Sequence, residues 1–234
     1  MQNNIPQNDN VIRFKKKKDP QKPSPQHPPL ISLPPATKYL AGAIIACHLI
    51  LWLASKYIPQ LNIDMIYNDF GFVSARWTGD EILPARSLLS LITVNFLHGG
   101  WFHLIINTVT LIAFGAGIEK LLGAKDMLVI FFCSSALALL THLAVSPSSI
   151  EPVIGASGGI SGLFGAILIV LKHVGRLNGS NQNLLPMIAL WIALTIGFGM
   201  MGAPDGSSIA WVAHIGGFLG GLGIAALMLK QKNI

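Results

Sequence analysis

Six stretches of this chain run for 17 residues or more without a formal charge: 39–55, 87–118, 127–150, 152–171, 177–204 and 206–229. A helix needs roughly 20 largely apolar residues to cross a ~30 Å hydrocarbon core. Only a segment that satisfies its own backbone hydrogen bonds can lie there. The shortest stretch, 39–55, is lengthened by Lys38 and Lys56, whose stems can snorkel to the two interfaces. Charged residues make up 11% of the chain and hydrophobic ones 52%, with a mean hydropathy of +0.58. A soluble domain carries about a quarter charged residues. The expected fold class is an all-α membrane protein of six transmembrane helices over residues 37–231. It follows a basic, proline-rich and disordered tail over 1–36.

The cations set an orientation. With the N-terminus inside, 13 of the 16 Lys and Arg residues fall in inner segments, and only Lys56, Arg76 and Arg86 fall outside. That asymmetry follows the positive-inside rule, and an even span count brings the C-terminus back to the same side. The net charge of +6 is thus a topology signal, and the Lys15–Lys18 run suits anionic lipid beside the membrane. Nucleic acid is not an expected partner. No cleavable signal peptide is expected at the start of the chain, and Cys47 and Cys133, within apolar spans, are expected to act as small hydrophobes.

Glycine is concentrated in two spans. The fourth carries Gly155, Gly158, Gly159, Gly162 and Gly165, and the sixth carries Gly216, Gly217, Gly220, Gly221 and Gly223. Small residues four apart let helix backbones approach closely in lipid, where association depends on packing. The outer segment 57–90 is long and aromatic, which suits a piece lying in the headgroup zone. The remaining connections are short and make sequential helices antiparallel neighbours.

Polar residues inside these spans need a reason. Counting from the inner charge of each span at ~1.5 Å per residue puts Ser157, His214 and His103 all roughly 21–22 Å up. Asn107 follows His103 by one turn on the same helix face. A serine hydroxyl becomes a nucleophile when a histidine within reach takes its proton. His103, Asn107 and the Ser157 backbone N–H would then hold the oxyanion. No acidic residue lies in the six stretches, so the expected unit is a Ser157–His214 dyad. The competing reading makes His103 and Asn107 ordinary interhelical hydrogen-bonding groups. His98 is expected at the outer surface, ordering the loop, and Glu119 with Lys120 is expected to tie down the inner turn. Trp101 and Phe102 read as interfacial anchors or core, and His48, His142 and His173 show no partnered spacing.

These motifs together resemble the rhomboid intramembrane serine proteases. The Gly-X-Ser-Gly nucleophile pattern is matched by Gly155-Ala156-Ser157-Gly158, and the Ala-His-X-X-Gly base pattern by Ala213-His214-Ile215-Gly216-Gly217. The His-X4-His-X3-Asn pattern is matched by His98, His103 and Asn107, and 115–123 resembles the end of the family's second span. The resemblance covers about 38–230. It implies a six-helix rhomboid-like bundle in the lipid bilayer that cuts transmembrane protein substrates near their outer end, with no metal or cofactor. Many members carry an aromatic residue four positions after the nucleophile, packed on the base. Here that position is Ser161, with Phe164 or Trp211 available to compensate. Compact size and short tails favour a bacterial inner membrane with both termini cytoplasmic. The rival readings are a non-catalytic relative that binds membrane segments and a small transporter using the same polar groups. Oligomeric state, natural substrate and pathway are not set by the sequence.

Overall fold

The computed structural model describes residues 33–79, 85–173, 175, 188, 189, 191, 195 and 211–232. Among them the elements are α1 (Pro35–Tyr57), α2 (Ile63–Phe70), α3 (Ala75–Thr78), α4 (Ala85–Thr93) running into a 3-10 turn (Val94–Phe96), α5 (Trp101–Leu122), α6 (Ala124–Val145), α7 (Ser157–His173) and α8 (Trp211–Gln231). Four of these, α1, α5, α6 and α8, are long and apolar enough to cross a membrane. The helix α7 is apolar but only 17 residues long. Most of the expected fifth span, 177–204, and the tail residues 1–32 lie outside the described residues.

Two expected boundaries change. The charge-free run 87–118 is not one helix. It breaks between Phe96 and Trp101, so α4 with its 3-10 turn is separate from the spanning helix α5. The sequence His98-Gly99-Gly100 explains the break: Gly100, the N-cap of α5, is fully extended (φ −175°, ψ 170°), and two adjacent glycines carry a high entropic cost inside a helix. The fourth run, 152–171, likewise begins as extended chain, and its helix starts only at Ser157.

The core sits where α1, α5, α6, α7 and α8 meet, around the buried residues Ile44, Leu111, Ile118, Phe131, Leu163 and Ala225. Residues that would be exposed in water, such as Ile105, Val109 and Leu227, lie on the outward faces. That pattern suits a bundle solvated by lipid. Helices α6, α7 and α8 pack most closely, and glycine is the reason. A Cβ at Gly158 would sit 2.7 Å from the Ala138 side chain, and one at Gly159 would meet the Phe131 ring. Gly217 and Gly221 of α8 lie directly against the carbonyls of Gly158 and Gly162 on α7. Helices α7 and α8 therefore meet backbone to backbone, and α6 packs the side chains of Ala138, Thr141 and Leu137 against their glycines.

Glu119 does something other than brace its own turn. Its Oε1 accepts a hydrogen bond from the Ala36 N–H (2.9 Å), and its Oε2 accepts from the Thr37 N–H and hydroxyl (2.7 Å each). The first turn of α1 has Pro34 as N-cap and no side-chain cap of its own. A carboxylate from α5 fills that gap and joins the two helices.

Candidate functional site

The segment entering α7 is fixed before the helix begins. Phe72 and Val153 form a two-way antiparallel bridge, with Phe72 N–H to Val153 O at 3.0 Å and Val153 N–H to Phe72 O at 2.8 Å. Thr78 donates its hydroxyl to the Pro147 carbonyl (2.8 Å), and the Gly155 N–H donates to the Val94 carbonyl (2.8 Å). Phe72, Val94 and Leu139 form a small apolar cluster under this stitching. Gly155 then takes φ +115°, a conformation that L side chains rarely adopt, and the chain turns into α7 at Ser157.

Ser157 Oγ lies 2.8 Å from His214 Nε2. The serine comes from the first residue of α7 and the histidine from the first turn of α8, so the pair forms at the end of the glycine seam, beside the contact of Gly217 with Gly158. Both residues are half-buried. At the start of its helix, Ser157 is also surrounded by N–H groups with no intrahelical acceptor, at the positive end of the helix dipole.

His103 and Asn107 reach the same place from α5. A Cβ built on Gly155 would lie 2.7 Å from His103 Nε2 and 3.6 Å from Asn107 Nδ2. The amide Nδ2 of Asn107 is buried and has no hydrogen-bond partner among the described residues. All four residues singled out in the sequence thus gather around the turn that delivers Ser157.

Other expectations fare differently. His98, expected to order the outer loop, is 1% exposed: its carbonyl accepts from the Tyr67 hydroxyl of that segment (2.8 Å), and its ring meets the His103 ring edge-on at 5.0 Å. Among the described residues no aromatic ring packs on His214. Ser161 is buried within α7, and Phe164 pairs with Phe114, Trp191 and Phe218. Trp211 is 41% exposed. The close contact of Gly217 with Gly158 and of Gly216 with Thr141, on either side of the turn after His214, fixes the helix that carries it. The small-residue spacing of the fourth and sixth spans signals the close approach of Gly217 to Gly158, and only the Thr141 contact from α6 has no signal in the sequence.

Comparison with known proteins assigns the chain to a family. The family model described as the Rhomboid domain matches residues 85–231. The chain is 33% identical over 146 residues to rhomboid protease GluP of Bacillus subtilis (strain 168), which covers 61% of this chain and 26% of GluP. It is 29% identical over 143 residues to the protein YdcA of the same organism, covering 61% of this chain and 68% of YdcA. RHOMBOID-like protein 5 of Arabidopsis thaliana is also 29% identical over 143 residues, with 45% of its length covered. The chain therefore spans about a quarter of GluP and under half of the plant protein. This chain belongs to the rhomboid family, a family of membrane proteins that includes serine proteases.

Proposed function

We propose that this protein is an intramembrane serine endopeptidase acting on transmembrane protein substrates. The observation that carries the reading is the 2.8 Å approach of Ser157 Oγ to His214 Nε2 at the start of two apolar helices. Ser157 Oγ attacks the scissile carbonyl carbon while its proton passes to His214 Nε2. The oxyanion formed is held by the Ser157 N–H, Asn107 Nδ2 and His103. His214 then gives its proton to the leaving amine nitrogen as the C–N bond breaks, which leaves an acyl-serine. Water attacks that ester, its proton goes to His214, and the proton returns to Ser157 Oγ as the carboxyl product departs. The buried Asn107 Nδ2 without a partner suits this role, since a donor kept waiting inside the protein gains most when charge develops beside it.

The wider arrangement belongs to the same proposal. The domain 37–231 is a six-helix bundle with 177–204 supplying the fifth span, behind a cytoplasmic tail over 1–36. Both termini face the cytoplasm of a bacterial inner membrane. Water reaches the dyad from the outer face, and substrate helices that unwind near that face expose a peptide bond to Ser157.

The test is labelling of the purified, detergent-solubilised chain with a fluorophosphonate, beside Ser157→Ala and His214→Ala. Labelling of wild type that both substitutions abolish supports the reading. Wild type that stays unlabelled across several detergents and lipids overturns it in favour of a non-catalytic member that binds membrane segments.

A further inference from the structure

The start of α5 carries His103 as its third residue, and its N-cap Gly100 makes no side-chain cap. The His98 ring, just before the helix, meets the His103 ring edge-on. Its first helical hydrogen bond runs from the Leu104 N–H to the Gly100 carbonyl (3.0 Å). An oxyanion donor must be held to within a fraction of an ångström to act, so the turn that carries it gains from support beyond its own segment.

That support lies on α1. His48 is 6% exposed inside a spanning helix, where a polar side chain marks function by default. Its Nε2 makes no hydrogen bond among the described residues. A hydrogen bond ties the other side of the ring to the His98 backbone, and the ring meets the indole of Trp101 edge-on, with centroids 4.8 Å apart and planes at 81°. Trp52, one helical turn further along α1, meets the same indole at 5.6 Å and 74°. Lys56 Nζ lies 5.2 Å from the centre of the Trp52 ring and completes the row. Trp101 is the first residue of α5, two before His103. Two rings on one face of α1 thus pin the first residue of the helix that carries His103 and Asn107.

Resting on the function proposed above, we infer that His48 is a positioning residue. Its ring, hydrogen-bonded to the His98 backbone and packed on Trp101, fixes the chain on both sides of Gly99-Gly100 and thereby His103 in oxyanion-holding geometry. Phe keeps only the ring contact, so it replaces His48 in part.

The test uses the full-length chain in detergent with His48→Ala, His48→Phe, His48→Gln, Trp101→Ala and the His48→Ala/Trp101→Ala double variant. Two readouts are taken: the rate constant and apparent affinity of fluorophosphonate labelling, and hydrogen–deuterium exchange of the 101–107 segment. His48→Ala and His48→Gln are expected to slow the labelling step about tenfold with apparent affinity unchanged, the scale of a small misplacement from a residue remote from the chemistry. Exchange across 101–107 should quicken while α6 and α8 keep their protection. His48→Phe should recover part of both readouts, and the double variant should be slower than Trp101→Ala, because the tie to the His98 backbone is lost as well. The inference is overturned if His48→Ala leaves 101–107 exchange as in wild type, or if His48→Phe does no better than His48→Ala. An unlabelled wild type would count against the proposed function alone, because the exchange arm still decides whether His48 holds the turn.

Discussion

Glu119 on α5 takes three hydrogen bonds from the first turn of α1, two of them from the N–H and hydroxyl of Thr37 at 2.7 Å. The two residues are 7% and 0% exposed, so water cannot substitute for either. An anion at a helix N-terminus gains from the dipole and from the N–H groups together. Hydrogen bonds to a charged group contribute about 1.5–3 kcal/mol each, and the buried N–H groups of α1 would be left unpaired without it. Glu119→Ala should therefore destabilise the fold by about 3 kcal/mol or more, while Glu119→Gln, which keeps one acceptor oxygen, should cost about half as much. Thr37→Val should cost about 1 kcal/mol through loss of the hydroxyl bond alone. Reversible unfolding of the detergent-solubilised variants checks the order Ala, Gln, Val.

Gly155 tests the geometry of the turn rather than its stability. Its φ of +115° disfavours any side chain, and a Cβ there would fall 2.7 Å from His103 Nε2. Gly155→Ala is expected to displace His103 from the site and to lower the fluorophosphonate labelling rate about a hundredfold. The cost in fold stability should stay within about 1–3 kcal/mol, since the strain is confined to one residue. Equal losses of labelling and of melting temperature, as in a generally unfolded protein, would contradict this.

Much of this arrangement is legible in the sequence, and most of what is not shares one cause. Ser157, His214, His103 and Asn107 could be aligned because a spanning helix rises by a fixed amount per residue, so sequence position reads as depth. Depth says nothing about azimuth or about pairs on different helices. Hence the sequence places Glu119 at the inner turn but does not show its partner Thr37, 82 residues away. His48 shows no partner in the sequence because Trp101 lies on another helix. The break at Gly99-Gly100 was hidden for a different reason: apolar composition alone does not distinguish one long helix from two short ones in line.

The glycine seam separates close approach from simple abundance. Gly217 and Gly223 lie on the same helix, but a Cβ at Gly217 would collide with the Gly158 carbonyl while one at Gly223 would meet nothing within 4 Å. Gly217→Ala should push α8 away from α7 and open the Ser157–His214 pair, three residues from the substitution. Labelling should fall by at least tenfold, with destabilisation of about 1–3 kcal/mol from overpacking. Gly223→Ala should leave labelling within twofold of wild type and raise stability slightly, because it removes backbone freedom from the unfolded chain by about 0.4–1 kcal/mol. Equal effects at the two positions would show that helix α8 does not set the dyad distance.

Asn107 offers the sharpest division between binding and catalysis. Its Nδ2 is buried, lies beside the Gly155 turn and has no partner among the described residues, so removing it strands no acceptor there. Asn107→Ala should therefore fold and melt close to wild type. In the proposed reaction the amide acts only once the carbonyl oxygen becomes an anion, so its loss belongs to the transition state. Loss of one oxyanion donor costs about a hundredfold to a thousandfold in kcat. With a cleavable membrane substrate, KM should stay within about threefold of wild type while kcat carries the loss. Asn107→Asp should be at least as inactive, since a carboxylate would place negative charge against the developing oxyanion. A rise in KM with kcat unchanged would make Asn107 a substrate-binding group, and the oxyanion would then rest on His103 and the Ser157 N–H.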